Sequence, residues 1–126
     1  MSSSYQTDAL RTLSTRFHVG EEDGAVTPDL LHGAIGLATE AGEMLDAVKR
    51  ALFYGAELDR TNLVEELGDL EWYMAVIRDA LGVSQEDVQR INIEKLRARY
   101  PEKFSRDHAL QRDLGRERAV LEKGSD

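Results

Sequence analysis

The sequence predicts an all-α protein, an antiparallel bundle of four to five helices. Three observations predict it. Apolar residues recur at helical spacing over long windows. Capping residues and glycines divide the chain into segments of helical length. No stretch alternates as a strand would, and no solenoid-length repeat or low-complexity linker interrupts the chain. At 126 residues the chain reads as one domain, residues 1–126, with a core at about 28–104 and a helical tail at 105–126.

Residues 4–17 read as a short helix with Tyr5, Leu10, Leu13 and Phe17 along one side, followed by a loop over 18–26. Thr27-Pro28-Asp29 is a helix start: Thr caps, Pro fits the first turn, and Asp favours the positive end. That helix is expected to run to about Phe53 and stop at Gly55, with Leu30, Ala34, Leu37, Ala41, Met44, Leu45, Val48 and Leu52 as its apolar stripe. Asp59 or Thr61 opens the next, which ends at Gly82 and carries Leu63, Leu67, Leu70, Met74, Ile77 and Leu81. Glycines 33, 36, 42 and 68 inside these two helices admit two readings, tolerated imperfection or close helix approach. Ser84 to Asp87 resembles a capping box and opens a helix to Tyr100, stopped by Pro101. Ser105 caps a last amphipathic segment with Ala109, Leu110, Leu114, Val120 and Leu121 as its apolar positions. This tail is expected to pack on the core or on a neighbouring subunit.

Composition excludes several chemistries. The formal charge of −8 argues against a nucleic acid held through its phosphates. Without cysteine there is no disulfide, thiolate metal site or cysteine nucleophile. No apolar run has membrane-spanning length, and MSSSYQTD lacks the basic and apolar parts of a signal peptide. A cytoplasmic protein with no membrane partner is the expectation.

Two copies of one pattern carry the chemistry: Glu40-x-x-Glu43 and Glu66-x-x-Asp69, on consecutive helices. Residues three apart share a side of a helix, and both pairs border the apolar stripe rather than oppose it. Helices packed face to face would therefore bring four carboxylates together. Such acids repel one another unless a cation lies between them, and all-oxygen ligation suits Mg²⁺, with Mn²⁺ as a substitute. A single E-x-x-E is usually a charged face; two pairs at the stripe border make a metal site the better reading. A di-iron carboxylate bundle would need Glu-x-x-His motifs, and none of His18, His32 and His108 stands three residues after a Glu. On the following helix Asn92, Lys95 and Arg99 share a side and suit phosphate oxygens, although Arg99 alone reads more simply as surface charge.

GLATEAGEMLDAVK, NLVEELGDLEWYMA and NIEKLRARYP together resemble the MazG-like all-α nucleoside triphosphate pyrophosphohydrolases, over about residues 28–104. The gap segment FYGAELDRTNLVEELGD and the tail RDLGRERAVLE resemble the small single-domain members found in phages and bacteria. The resemblance implies Mg²⁺-dependent hydrolysis of a (d)NTP to the monophosphate and pyrophosphate, with dNTPs as the expected substrates, in nucleotide-pool control. It implies metal ligation by Glu40, Glu43, Glu66 and Asp69, and phosphate contacts from Asn92 and Lys95. Many relatives carry an acid directly before the first motif Glu, where this chain has Thr39. The water-activating role is therefore expected of Glu40 or Glu43. Trp72, Tyr73, His32 and His18 are candidates for a base pocket, with Phe17 beside His18; core or interface packing is the plainer reading of Trp72 and His32. The resemblance also implies a homodimer or homotetramer, in the host cytoplasm if phage-encoded. The alternative is a non-catalytic helical oligomerisation module whose acids bind a cation for structure alone.

Overall fold

The computed structural model describes residues 4–20, 22 and 24–124. Met1–Ser3 of the N-terminal stretch, Glu21 and Asp23 of the expected loop, and the last two residues of the tail lie outside the described residues. The described residues form six helices and no strand: α1 (Tyr5–Leu10), α2 (Pro28–Tyr54), α3 (Arg60–Leu81), α4 (Gln85–Arg99), α5 (Arg106–Leu110) and α6 (Leu114–Gly124). A lone bridge between Val19 and Val26 pins the loop before α2.

The boundaries follow local chemistry. The Thr27 hydroxyl accepts from the Leu30 amide at 3.2 Å, and Gly55, at φ 67°, closes α2 in the left-handed conformation that glycine adopts at least cost. Asp59 accepts from the Asn62 amide at 3.0 Å to open α3, and Gly82 ends it. Ser84 accepts from the Asp87 amide at 3.1 Å to open α4, which stops at Arg99 just before Tyr100-Pro101.

Two expectations are corrected. The first helix does not reach residue 17. The Thr12 hydroxyl donates to the Ala9 carbonyl and the Ser14 hydroxyl to the Arg16 carbonyl, at 2.9 and 3.1 Å. These hydroxyls offer the backbone an alternative to further helical turns, and Leu13 and Phe17 are left exposed. The tail is also not one segment. It breaks at Gln111 to Asp113, and the Asp113 carboxylate accepts from the Arg116 amide at 2.9 Å to start α6.

Packing divides into two pairs, α2 against α3 and α4 against α6. Gly33 and Gly36 are the buried residues of α2. A Cβ at Gly33 would lie 2.6 Å from Cγ1 of Ile77, and one at Gly36 would overlap the Tyr73 ring. Close approach is therefore the right reading for these two glycines. Gly42 and Gly68 face open space and are the tolerated kind.

The apolar stripes are only partly covered. Among the described residues no hydrophobic side chain is buried, and the buried charged ones are Glu66 and Glu117. Leu45, Leu52 and Leu67 of the expected stripes are 68%, 71% and 53% exposed. The reason is geometric: α2 and α3 have only each other as close neighbours, so each stripe has one flank against its partner and one against solvent.

Candidate metal centre

Close packing at Gly33 and Gly36 sets the register of the hairpin. Glu40 lies one turn beyond Gly36 on α2, and Glu66 lies two turns before Tyr73 on α3, so the two acids meet across the interface. Carboxylate oxygens of Glu40, Glu43 and Glu66 come within 4.8 Å of one another. Glu66 is 6% exposed, Glu40 half-buried and Glu43 exposed. The site thus has a dry floor and a wet edge.

One oxygen each of Glu40 and Glu66, Oε2 in both, is buried without a hydrogen-bond partner. A buried acceptor left in this state is costly, and two of them facing a third acid form a donor set that fits a hard divalent cation. The electrostatics agree. The pKa of Glu66 is pushed up to about 7, first by the proton it can share with Glu40, then by burial, then by the charge of Glu43.

Asp69, the fourth expected ligand, is exposed and does not belong to the converging group. Thr39, directly before the first motif Glu, donates its hydroxyl back to the Gly36 carbonyl at 3.0 Å and carries no acid function. The acids open into a cleft of about 700 Å³ lined by Glu43, Glu66, Asp46, Arg50 and Asn62. Arg50, whose Nε lies 2.9 Å from Asp46, is a cation in the cleft wall outside the sequence-predicted set. Its signal was available, since it falls one turn beyond Asp46 and two beyond Glu43 on the same helix.

The expected phosphate-binding helix stands apart. Asn92 and Lys95 lie on α4, which pairs with α6, and they do not line the cleft of the acids. Arg99 is engaged elsewhere. Its Nε and Nη2 donate to the two carboxylate oxygens of Glu117 at 2.8 and 3.2 Å, and Arg112 adds a second guanidinium to the same carboxylate. Two cations hold the Glu117 pKa down at about 2. Arg99 is thereby placed in the joint between α4 and α6, compensated on the spot.

His32, Trp72 and Tyr73 form a mutual edge-to-face cluster with ring centroids 5.0 to 6.0 Å apart. His18 is not among them; with Phe17 it lines a separate hollow within the 16–26 loop.

Residues 33–104 match the model of the MazG nucleotide pyrophosphohydrolase domain. The chain is 33% identical over 89 residues to the Gene 37 protein of Mycobacterium phage L5, an alignment covering 68% of this chain and 78% of that protein. No solved structure matches.

Proposed function

The chain belongs to the MazG nucleotide pyrophosphohydrolase family, and from that premise we propose that it hydrolyses a nucleoside triphosphate, with dNTPs the first candidates, to the monophosphate and pyrophosphate. The observation that carries the reading is the pair of buried, unpartnered carboxylate oxygens beside Glu43. Glu40, Glu43 and Glu66 hold Mg²⁺ in this proposal. Bound there, the cation offsets the charge of a polyphosphate in an acidic protein and lowers the pKa of nearby water.

The chain's own groups divide the remaining work. Glu43 is the exposed member and takes the proton of the attacking water, whereas Glu40, with Oε2 buried, is committed to ligation. Oxygen of the water bonds to the α-phosphorus as the bond between that phosphorus and the α–β bridging oxygen breaks, and pyrophosphate leaves. Arg50 in the cleft wall, exchanging Asp46 for phosphate oxygens, compensates phosphate charge. The aromatic cluster supplies a platform for the base. Tyr73 stands seven residues from Glu66 on α3, roughly 10 Å along the helix axis, a span that an extended triphosphate and its sugar bridge.

The second copy of the chain belongs to the same proposal. Asn92 and Lys95 lie outside the acid cleft of their own chain, and the half-covered stripes of α2 and α3 offer the contact surface for a homodimer or homotetramer.

The test is a panel of NTPs and dNTPs incubated with Mg²⁺, with products separated by ion-exchange chromatography. Monophosphate and pyrophosphate support the proposal; diphosphate and phosphate overturn the site of attack. Glu66→Ala separates an enzyme from a structural module. Turnover lost with assembly intact supports catalysis, while melting temperature and assembly lost together favour a purely structural cation.

A further inference from the structure

Charge is divided unevenly along this chain. Residues 1–87 hold seventeen acidic and six basic side chains, and residues 88–124 hold ten basic and six acidic ones. The basic segment comprises most of α4, the turn after it, α5 and α6. A protein of net charge −8 thus carries one positive unit, and the fold shapes it.

Between α4 and α6 lies a cleft of about 560 Å³ whose walls include Arg90, Arg97, Arg116 and Lys123, with Glu94 the acid in the lining. Arg90 is fixed in place. It meets Asp87 and Glu94 at 3.2 Å and donates to the Gly124 carbonyl at 3.1 Å. Arg97, Arg116 and Lys123 have no ion-pair partner among the described residues. Both ends of the cleft are set by packing. At one end Gly124 approaches α4 so closely that a Cβ there would lie 2.9 Å from Cγ1 of Ile91. At the other the Arg99–Glu117–Arg112 joint ties the helices.

We infer that this cleft is an anion site for a compact polyphosphate, either free pyrophosphate or the phosphate chain of a nucleotide, separate from the acid cluster and independent of a metal. The forked guanidinium groups of Arg97 and Arg116, which line one cleft from two helices, match phosphate oxygens, which accept from two N–H groups at once. No aromatic ring lines the cleft. It therefore has no surface on which a base stacks, and single-stranded nucleic acid lacks its usual platform. An acidic protein also repels the rest of a long polyanion, so a short one fits better. The inference does not rest on the reaction proposed above: it uses none of the same residues, and a failed hydrolysis assay leaves it standing.

Isothermal titration of the full chain with inorganic pyrophosphate in EDTA tests it. Saturable binding is expected at near-physiological salt. Glu40→Gln keeps it, and Arg97→Ala/Arg116→Ala weakens it by about tenfold or more. Lys123→Gln, an exposed change near the end of α6, gives a smaller loss and covers the case in which the double variant misfolds. Repeating the titration with nucleoside triphosphates of different bases separates the two sources: equal affinity across bases assigns recognition to the phosphates. No pyrophosphate binding, binding unchanged in both cleft variants, or binding lost in Glu40→Gln overturns the proposal. So does tight binding of an oligothymidylate with none of pyrophosphate.

Discussion

Between about pH 4.5 and 7 Glu66 holds a proton in the folded chain that it gives up on unfolding, because the pKa is about 7 in the cluster against 4.5 outside it. Where the folded state binds more protons, stability falls as pH rises. The metal-free protein is therefore expected to lose melting temperature from about pH 4.5 to 7, and to level off above. Glu66→Gln should flatten that part of the profile. At the proposed site Mg²⁺ would take the place of the proton, so its stabilising effect is expected to be larger at pH 8 than at pH 5. Thermal melts in EDTA and in Mg²⁺ check both; a wild-type curve parallel to that of Glu66→Gln would sink the assignment. Glu117 behaves in the opposite sense. Its pKa, lowered to about 2, gives stability that is fully present above pH 4.5 and lost as pH falls towards 2. At the site, Glu66→Ala is expected to cost at least about a hundredfold in turnover. Asp69→Asn, outside the converging group, should cost about tenfold. Steady-state rates at saturating Mg²⁺ rank the two, and equal losses would mean that Asp69 swings in as a ligand.

At the scale of helices, the two kinds of glycine give opposite expectations for one substitution. Gly36→Ala drives a methyl into the Tyr73 ring and should destabilise by about 1–3 kcal/mol. Gly68→Ala adds a methyl to open space and should stabilise by up to about 1 kcal/mol through helix propensity. Denaturant titrations of the two variants decide. This contrast also marks what the sequence makes legible. Helix starts at Thr27, Asp59 and Ser84 and stops at Gly55 and Gly82 are local chemistry, readable from a few residues, and the structure has all five. The convergence of Glu40, Glu43 and Glu66 was readable too, since periodicity fixes which side of each helix they take. The partners of Arg99 were not. Its carboxylate lies eighteen residues away on α6, past a break at Gln111 to Asp113 that no periodicity announces. Which glycine touches a neighbour was equally hidden, because register across a helix pair depends on both helices at once.

For the whole molecule, surface area is decisive. A folded monomer of 14.1 kDa ordinarily exposes about 6,700 Å², whereas this chain alone exposes 10616 Å². Part of the excess is the division into two helix pairs. Part is apolar: Leu45, Leu52, Phe53 and Val64 are each more than two-thirds exposed on the long hairpin. Water-exposed apolar surface contributes nothing to folding, and a chain with no buried hydrophobic residue among those described has no core of its own to oppose conformational entropy. The excess is larger than the roughly 1,000–2,500 Å² that an obligate interface takes from each partner, so subunit contact can account for much of it. Light scattering coupled to size exclusion should accordingly give at least twice the 14.1 kDa of one chain, and the melting temperature should rise with protein concentration, as it does when folding and assembly are one equilibrium. Leu45→Asp with Leu52→Asp places two charges on the stripe without touching the acids. That variant is expected to lose helical circular dichroism along with assembly, because the hairpin then has no second surface against which to bury its stripe. A cooperatively melting monomer, in the wild type or the variant, would show that α4 and α6 close over the hairpin of their own chain.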